Sequence, residues 1–168
     1  GAEGTTMIPD NPAPYLRTPQ FQQAKQFLPD VVLINLGTYD SNPGAQHWKF
    51  SRAYHQMISQ FRGLPSQPII WLVKPVPAFV SETRGVNASV LEDDMLLRID
   101  GVAVKAGAPV IDLYTPFLDR AELFPDKILP NAQGAGEIAK IIAPLLQKYR
   151  DQAPPAPARV TYPPADNE

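Results

Sequence analysis

The sequence predicts an α/β protein built on a parallel sheet, and three observations carry that prediction. Three short apolar runs, residues 31–36, 69–73 and 110–113, are bounded by turn residues and lack polar alternation, as strands covered on both faces do. The segments between them have helical spacing, and alternation of the two patterns marks an α/β chain. The composition is that of a folded domain: 168 residues, 44% hydrophobic and 19% charged.

Thr18 and Pro19 form an N-cap and first-turn pair for a helix reaching Leu28, which Pro29 and Asp30 stop before the first strand. Phe50, Tyr54, Met57, Ile58 and Phe61 share one face of a second helix, closed by Gly63. Asn87 caps a third, which turns Leu91, Met95, Ile99 and Val102 inward and ends near Gly107. Asn131 opens the last, whose stripe runs from Ile138 to Tyr149 with Pro144 as a kink. One domain is expected over residues 1–150, followed by a Pro- and Ala-rich extended tail over 151–168 that lies against its own domain or a partner.

Several function classes are disfavoured at once. Fifteen Lys and Arg against 17 Asp and Glu give a net charge of -2, too balanced to favour nucleic acid or an anionic membrane. No stretch approaches ~18 apolar residues, and residues 1–10 lack a secretory pattern, so no membrane insertion by this chain is expected. Cysteine is absent, which removes disulfides and thiolate metal sites. Only His47 and His55 supply imidazole, and neither metal nor cofactor is implied.

In parallel α/β sheets ligands sit beyond the carboxyl ends of the strands, so the turns there are the places to read. The first strand runs into Gly37-Thr38-Tyr39-Asp40-Ser41; a late loop reads Phe124-Pro125-Asp126-Lys127-Ile128-Leu129-Pro130-Asn131; the chain opens Gly1-Ala2-Glu3-Gly4. In order and spacing these blocks resemble the SGNH/GDSL hydrolases, in particular the carbohydrate O-acetyl esterases. The resemblance implies a three-layer α/β/α domain with the flavodoxin-like strand order 2-1-3-4-5. It places the first strand and a Gly-Asp-Ser nucleophile block some tens of residues before Gly1.

That resemblance also locates the chemistry and shows what is missing from it. Acyl transfer by the family's mechanism needs a Ser, a His to take its proton, an Asp to orient the His, and oxyanion donors. The second-block Gly matches Gly4, the acid matches Asp126, and Asp40 holds the last position of the Gly-x-Asn-Asp block. The Asn donor position holds Tyr39 and the His position holds Leu129, which cannot carry a proton. Asp40 and Asp126 are expected mainly as loop caps, and Tyr39 and Leu129 as bulk filling the emptied cleft beside Gly4. His47, shortly after the Gly37 turn, is the candidate ligand contact; His55 is a weaker one. Trp48 and Trp71 are aromatic platforms for a sugar, Trp71 more plausibly core, and Asn87-Ala88-Ser89 matches a glycosylation acceptor as well as a helix cap.

The expected role is therefore a catalytically inactive hydrolase-like domain, a structural or accessory subunit of an assembly. The partner would be another polypeptide or an upstream segment supplying the first strand. The competing expectation is an active serine esterase, a carbohydrate or small-ester O-deacetylase, of which this chain is one part.

Overall fold

The computed structural model describes residues 2–80, 82–83 and 85–152. Three parallel strands, β1 (Val31–Ile34), β2 (Ile69–Lys74) and β5 (Val110–Asp112), form a sheet in the order β1-β2-β5. Val31 pairs with Ile69, so β1 and β2 start level, and Leu72 pairs with Val110, so β5 starts three residues further along β2. A short antiparallel pair, β3 (Glu82–Thr83) with β4 (Val86–Asn87), stands apart and was not evident from the sequence.

The pleat sends alternate residues of each strand to opposite layers. Ile34, Ile70 and Leu72 pack into the larger core with Phe50, Tyr54, Phe61 and Ile99, from helices α2 (Phe50–Arg62) and α4 (Leu96–Ala106). Leu33, Trp71, Val73 and Ile111 face the other way, under Ile138, Ile141 and Leu145 of α5 (Ala132–Gln152). The result is the three-layer arrangement expected, with Trp71 partly buried against the second cluster. Helix α1 (Pro19–Gln26) joins the first layer through Phe21, whose ring meets Phe61 edge-on at 5.5 Å.

The expected caps are present. Thr18 Oγ1 accepts from the Phe21 amide, Asn87 Oδ1 from Val90 and Asn131 Oδ1 from Gly134. Gly107 takes the left-handed conformation that closes α4, at φ 59°. The third helix differs from a plain α-helix: α3 (Ala88–Val90) leads through a π-helical stretch, Leu91–Met95, before α4. Leu91 and Met95 are fully buried there, and half-buried Asp94 lies beside His47. Helix α5 continues to Gln152, so residues 151–152 are helical rather than tail; residues 153–168 lie outside those described.

Two glycines of α5 give a paired prediction. A Cβ at Gly134 would lie 3.0 Å from Pro130 Cβ and 3.2 Å from Leu123 Cβ, whereas one at Gly136 would meet nothing within 4 Å. Gly136→Ala is expected to stabilise by about 0.5–1 kcal/mol through helix propensity. In Gly134→Ala that gain is outweighed by an overpacking cost of about 1–3 kcal/mol. Urea titration of the two variants should therefore move the midpoint in opposite directions.

Two consequences of the topology position the site. The order β1-β2-β5 matches the run 3-4-5 of the flavodoxin-like order and puts β1 at one edge of the sheet. Along that edge lies a groove of about 410 Å³, lined by Val31, Leu33, Tyr15, Phe27, Met57 and Phe61. Among the described residues no helix is long and apolar enough to cross a membrane.

Candidate active-site cleft

The carboxyl end of β1 sets the geometry. Gly37, three residues beyond β1, has φ 131°, a backbone conformation that favours glycine, while a Cβ there would meet Ile99 Cδ1 only at an ordinary contact distance of 3.5 Å. The chain then tightens into a 3-10 turn, Tyr39–Ser41. Ser41 Oγ donates to Thr38 O at 2.6 Å and accepts from the Asn87 amide at 3.0 Å, which fastens β4 to the same turn.

Asp40, fully buried, points back from this turn into the segment after Gly4. Its Oδ1 accepts from the amides of Met7 (2.9 Å) and Ile8 (2.8 Å), and its Oδ2 from Met7 at 2.8 Å. Burial pushes its carboxyl up to about 6 against the pull of those amides. Asp40 thus holds the opening segment onto the sheet, in agreement with the cap reading.

Gly4, Gly37, Tyr39 and Leu129 line one cleft, together with Val76 and Ile138. Gly4 has φ 71°, a left-handed turn that brings its backbone to the cleft wall. Tyr39 and Leu129 are half-buried and share this space, as expected from bulk replacing polar groups. They do not fill it: about 240 Å³ remains open. Asp126 does not line the cleft. Its Oδ1 accepts from the amides of Ile128 (3.0 Å) and Leu129 (2.6 Å), forming the turn that presents Leu129.

The two histidines lie elsewhere. His47 Nε2 is 2.9 Å from Asn42 O and its Nδ1 is 3.1 Å from Asp94 Oδ2, a bridge between the loop before α2 and the π-helical stretch. His55 sits on α2, where burial and then the charges of Lys105 and Arg62 lower its pKa. Among the described residues neither histidine nor serine lines the cleft; Glu3 and Tyr39 are its titratable side chains. Nor do the described residues gather three or more His, Asp or Glu side chains as a metal site.

The contributions of Ile138 and Val76 to the cleft were not read from the sequence. The 3.6-residue stripe of α5 predicted burial for Ile138 but not that the first turns of α5 would cover the ends of β1 and β2. Likewise Ser41 carried no signal, because its partner Asn87 is 46 residues away.

Comparison with known proteins agrees with the layout. The sequence model of the GDSL-like lipase/acylhydrolase family matches residues 1–136. The chain belongs to this family. An acetylxylan esterase of Xylanibacter ruminicola is 30% identical over 165 residues, covering 85% of this chain and 34% of the relative. This GDSL-family chain thus spans about a third of that protein's length. Among solved structures, a carbohydrate esterase family 3 protein from Talaromyces cellulolyticus superposes with TM-score 0.67 at 22% identity, over 89% of this chain and 70% of that one. A two-domain esterase active on acetylated mannans superposes with TM-score 0.59 at 20% identity, over 94% and 40%. These likenesses show a shared SGNH-hydrolase fold, which fits the parallel sheet, the Gly37–Asp40 turn and the Asp126 loop described above.

Proposed function

We propose that this chain is a non-catalytic SGNH-hydrolase domain, retained for its shape as a structural or accessory part of an assembly. The observation that carries the reading is the Asp126 loop. At the position where the family places its proton acceptor stands Leu129, and the Asp126 carboxylate accepts from the backbone of that same turn. A hydrocarbon side chain cannot take a proton from a nucleophile or return it to a leaving group, wherever the nucleophile comes from. Tyr39 in place of an amide donor also removes one oxyanion contact, and such losses cost about 2.7–4 kcal/mol of transition-state stabilisation. His47 is held by Asn42 and Asp94, and neither it nor His55 lines the cleft.

The β1 edge supports the assembly half of the proposal. A strand from another polypeptide or from an upstream segment, parallel to β1 and apolar on both faces, would occupy the groove along Val31 and Leu33. Carbohydrate relatives suggest an acetylated polysaccharide as the setting in which the domain is used. Fluorophosphonate labelling tests the reading, because it reports an activated serine whatever the substrate. No serine of this chain should be modified under conditions that label a family esterase completely. A labelled serine here would favour the competing role, a working serine esterase of which this chain forms one part.

A further inference from the structure

On the face of the first helical layer, away from both the cleft and the β1 edge, a shallow groove runs between α2 and α4. Trp48, Arg52 and His55 form one wall at helical spacing, and Gly101, Val102 and Lys105 form the other. Trp48 keeps 66% of its surface exposed, and Lys49 Nζ lies 5.2 Å from its ring centroid, so one ring face is taken and the other is open. Arg52 and Lys105 are exposed, and among the described residues neither has a carboxylate partner. The nearby acids are committed: Asp10 to Lys49, Asp94 to His47 and Arg98. The groove is therefore locally cationic on a chain whose net charge is -2.

Gly101 adds an independent point. It lies inside α4, where glycine disfavours the helix, yet a Cβ there would meet nothing within 4 Å. Among the described residues no neighbour requires the glycine, and its lack of a side chain leaves that wall of the groove open. The exposed Leu97 and Val104 do not line the groove.

We propose that this groove binds an acidic sugar residue, its apolar ring face stacked on Trp48 and its carboxylate held by Arg52 and Lys105. An aromatic ring offers area to the C–H face of a pyranose, and two cations without a carboxylate partner among the described residues select a carboxylate over a hydroxymethyl group. The choice of a sugar rather than another ring-bearing anion rests on the carbohydrate reading above; the cationic aromatic groove does not.

The test uses the natively purified protein with any chain that accompanies it, and follows binding by isothermal titration calorimetry with trigalacturonate, xylotriose and adenosine monophosphate. Trigalacturonate should bind at least about tenfold more tightly than neutral xylotriose, and the difference should shrink with added salt. Trp48→Ala and the double variant Arg52→Ala/Lys105→Ala should each weaken trigalacturonate binding about tenfold. Gly101→Gln should do the same with no loss of thermal stability, because its Cβ has room, and that separates blocked binding from misfolding. Equal binding of the neutral and acidic sugars, binding unchanged in the variants, or no binding at millimolar sugar would overturn the site. Tighter binding of adenosine monophosphate than of trigalacturonate would overturn the sugar assignment, and none of these outcomes bears on whether the cleft is catalytic.

Discussion

Residues 1–168 produced by themselves are expected to unfold without a cooperative transition, and to gain one when a polypeptide carrying a parallel edge strand is supplied. The reason lies in β1. Asp30 O accepts from the Ile69 amide, so the alternation of a parallel ladder aims the N–H and C=O groups of Val31 and Leu33 at the opposite edge. Among the described residues no strand pairs there, and the groove along it is lined by Phe27, Met57 and Phe61. If the groove stays dry, four backbone groups lack partners at about 1–3 kcal/mol each, a total comparable to the whole ~5–15 kcal/mol stability of a domain. If water enters to satisfy them, it wets an apolar lining that β1 and α2 would otherwise bury. Both outcomes destabilise. A differential scanning calorimetry trace of the chain alone, compared with the chain plus any polypeptide that co-purifies with it, decides the matter. A sharp, reversible two-state melt of the isolated chain would show that the edge needs no strand.

The second large effect belongs to Asp40. Asp40→Ala leaves the fully buried amides of Met7 and Ile8 without their acceptor, and at about 1–3 kcal/mol for each group the loss is about 2–6 kcal/mol. It should also change how stability follows pH. The Asp40 carboxyl titrates near about 6 in the fold, against an ordinary 3.8, so between those values the folded protein holds a proton that the unfolded chain has released. Its contribution is then greatest below about pH 4 and is lost as pH rises through about 6, a decline of about 3 kcal/mol by pH 7. Urea unfolding at pH 4.5 and pH 7, with any accompanying chain present, should show about 2 kcal/mol of that decline in the wild type and none in Asp40→Ala. Parallel pH profiles for the two proteins would contradict the assignment.

These two predictions draw on different amounts of sequence information. The strands, the helix caps at Thr18, Asn87 and Asn131, and the inward stripes of α2 and α5 were legible because each depends on residues within one or two turns of one another. The catalytic gaps were legible for a different reason: motif order placed Leu129 and Tyr39 at defined positions, and neither side chain can do the chemistry of the residue it replaces. What escaped the sequence was set by contacts far apart in it. Asp40 was read as a cap, but its partners, Met7 and Ile8, are 33 and 32 residues upstream and leave no local pattern. The π-helical stretch at Leu91–Met95 keeps an apolar spacing that reads as an ordinary helix. His47 appeared to edge the cleft because its loop follows the Gly37 turn, whereas the structure folds that loop outward onto Asp94. The cleft itself, half-filled rather than filled, depends on how far Tyr39 and Leu129 approach across a gap that residue types cannot specify.

Whether the Asp126 loop still performs catalysis is tested most directly by turnover of p-nitrophenyl acetate. The assay should use the protein with every accompanying chain present, comparing wild type with Asp126→Asn. Removing one member of a working triad lowers turnover by roughly 10⁴-fold or more, so even a slow esterase would separate the two proteins clearly. The rates are expected to coincide, both at the level of buffer. A wild-type rate above buffer that collapses in Asp126→Asn would contradict the account, because it would mean that the carboxylate still orients a base that Leu129 does not supply.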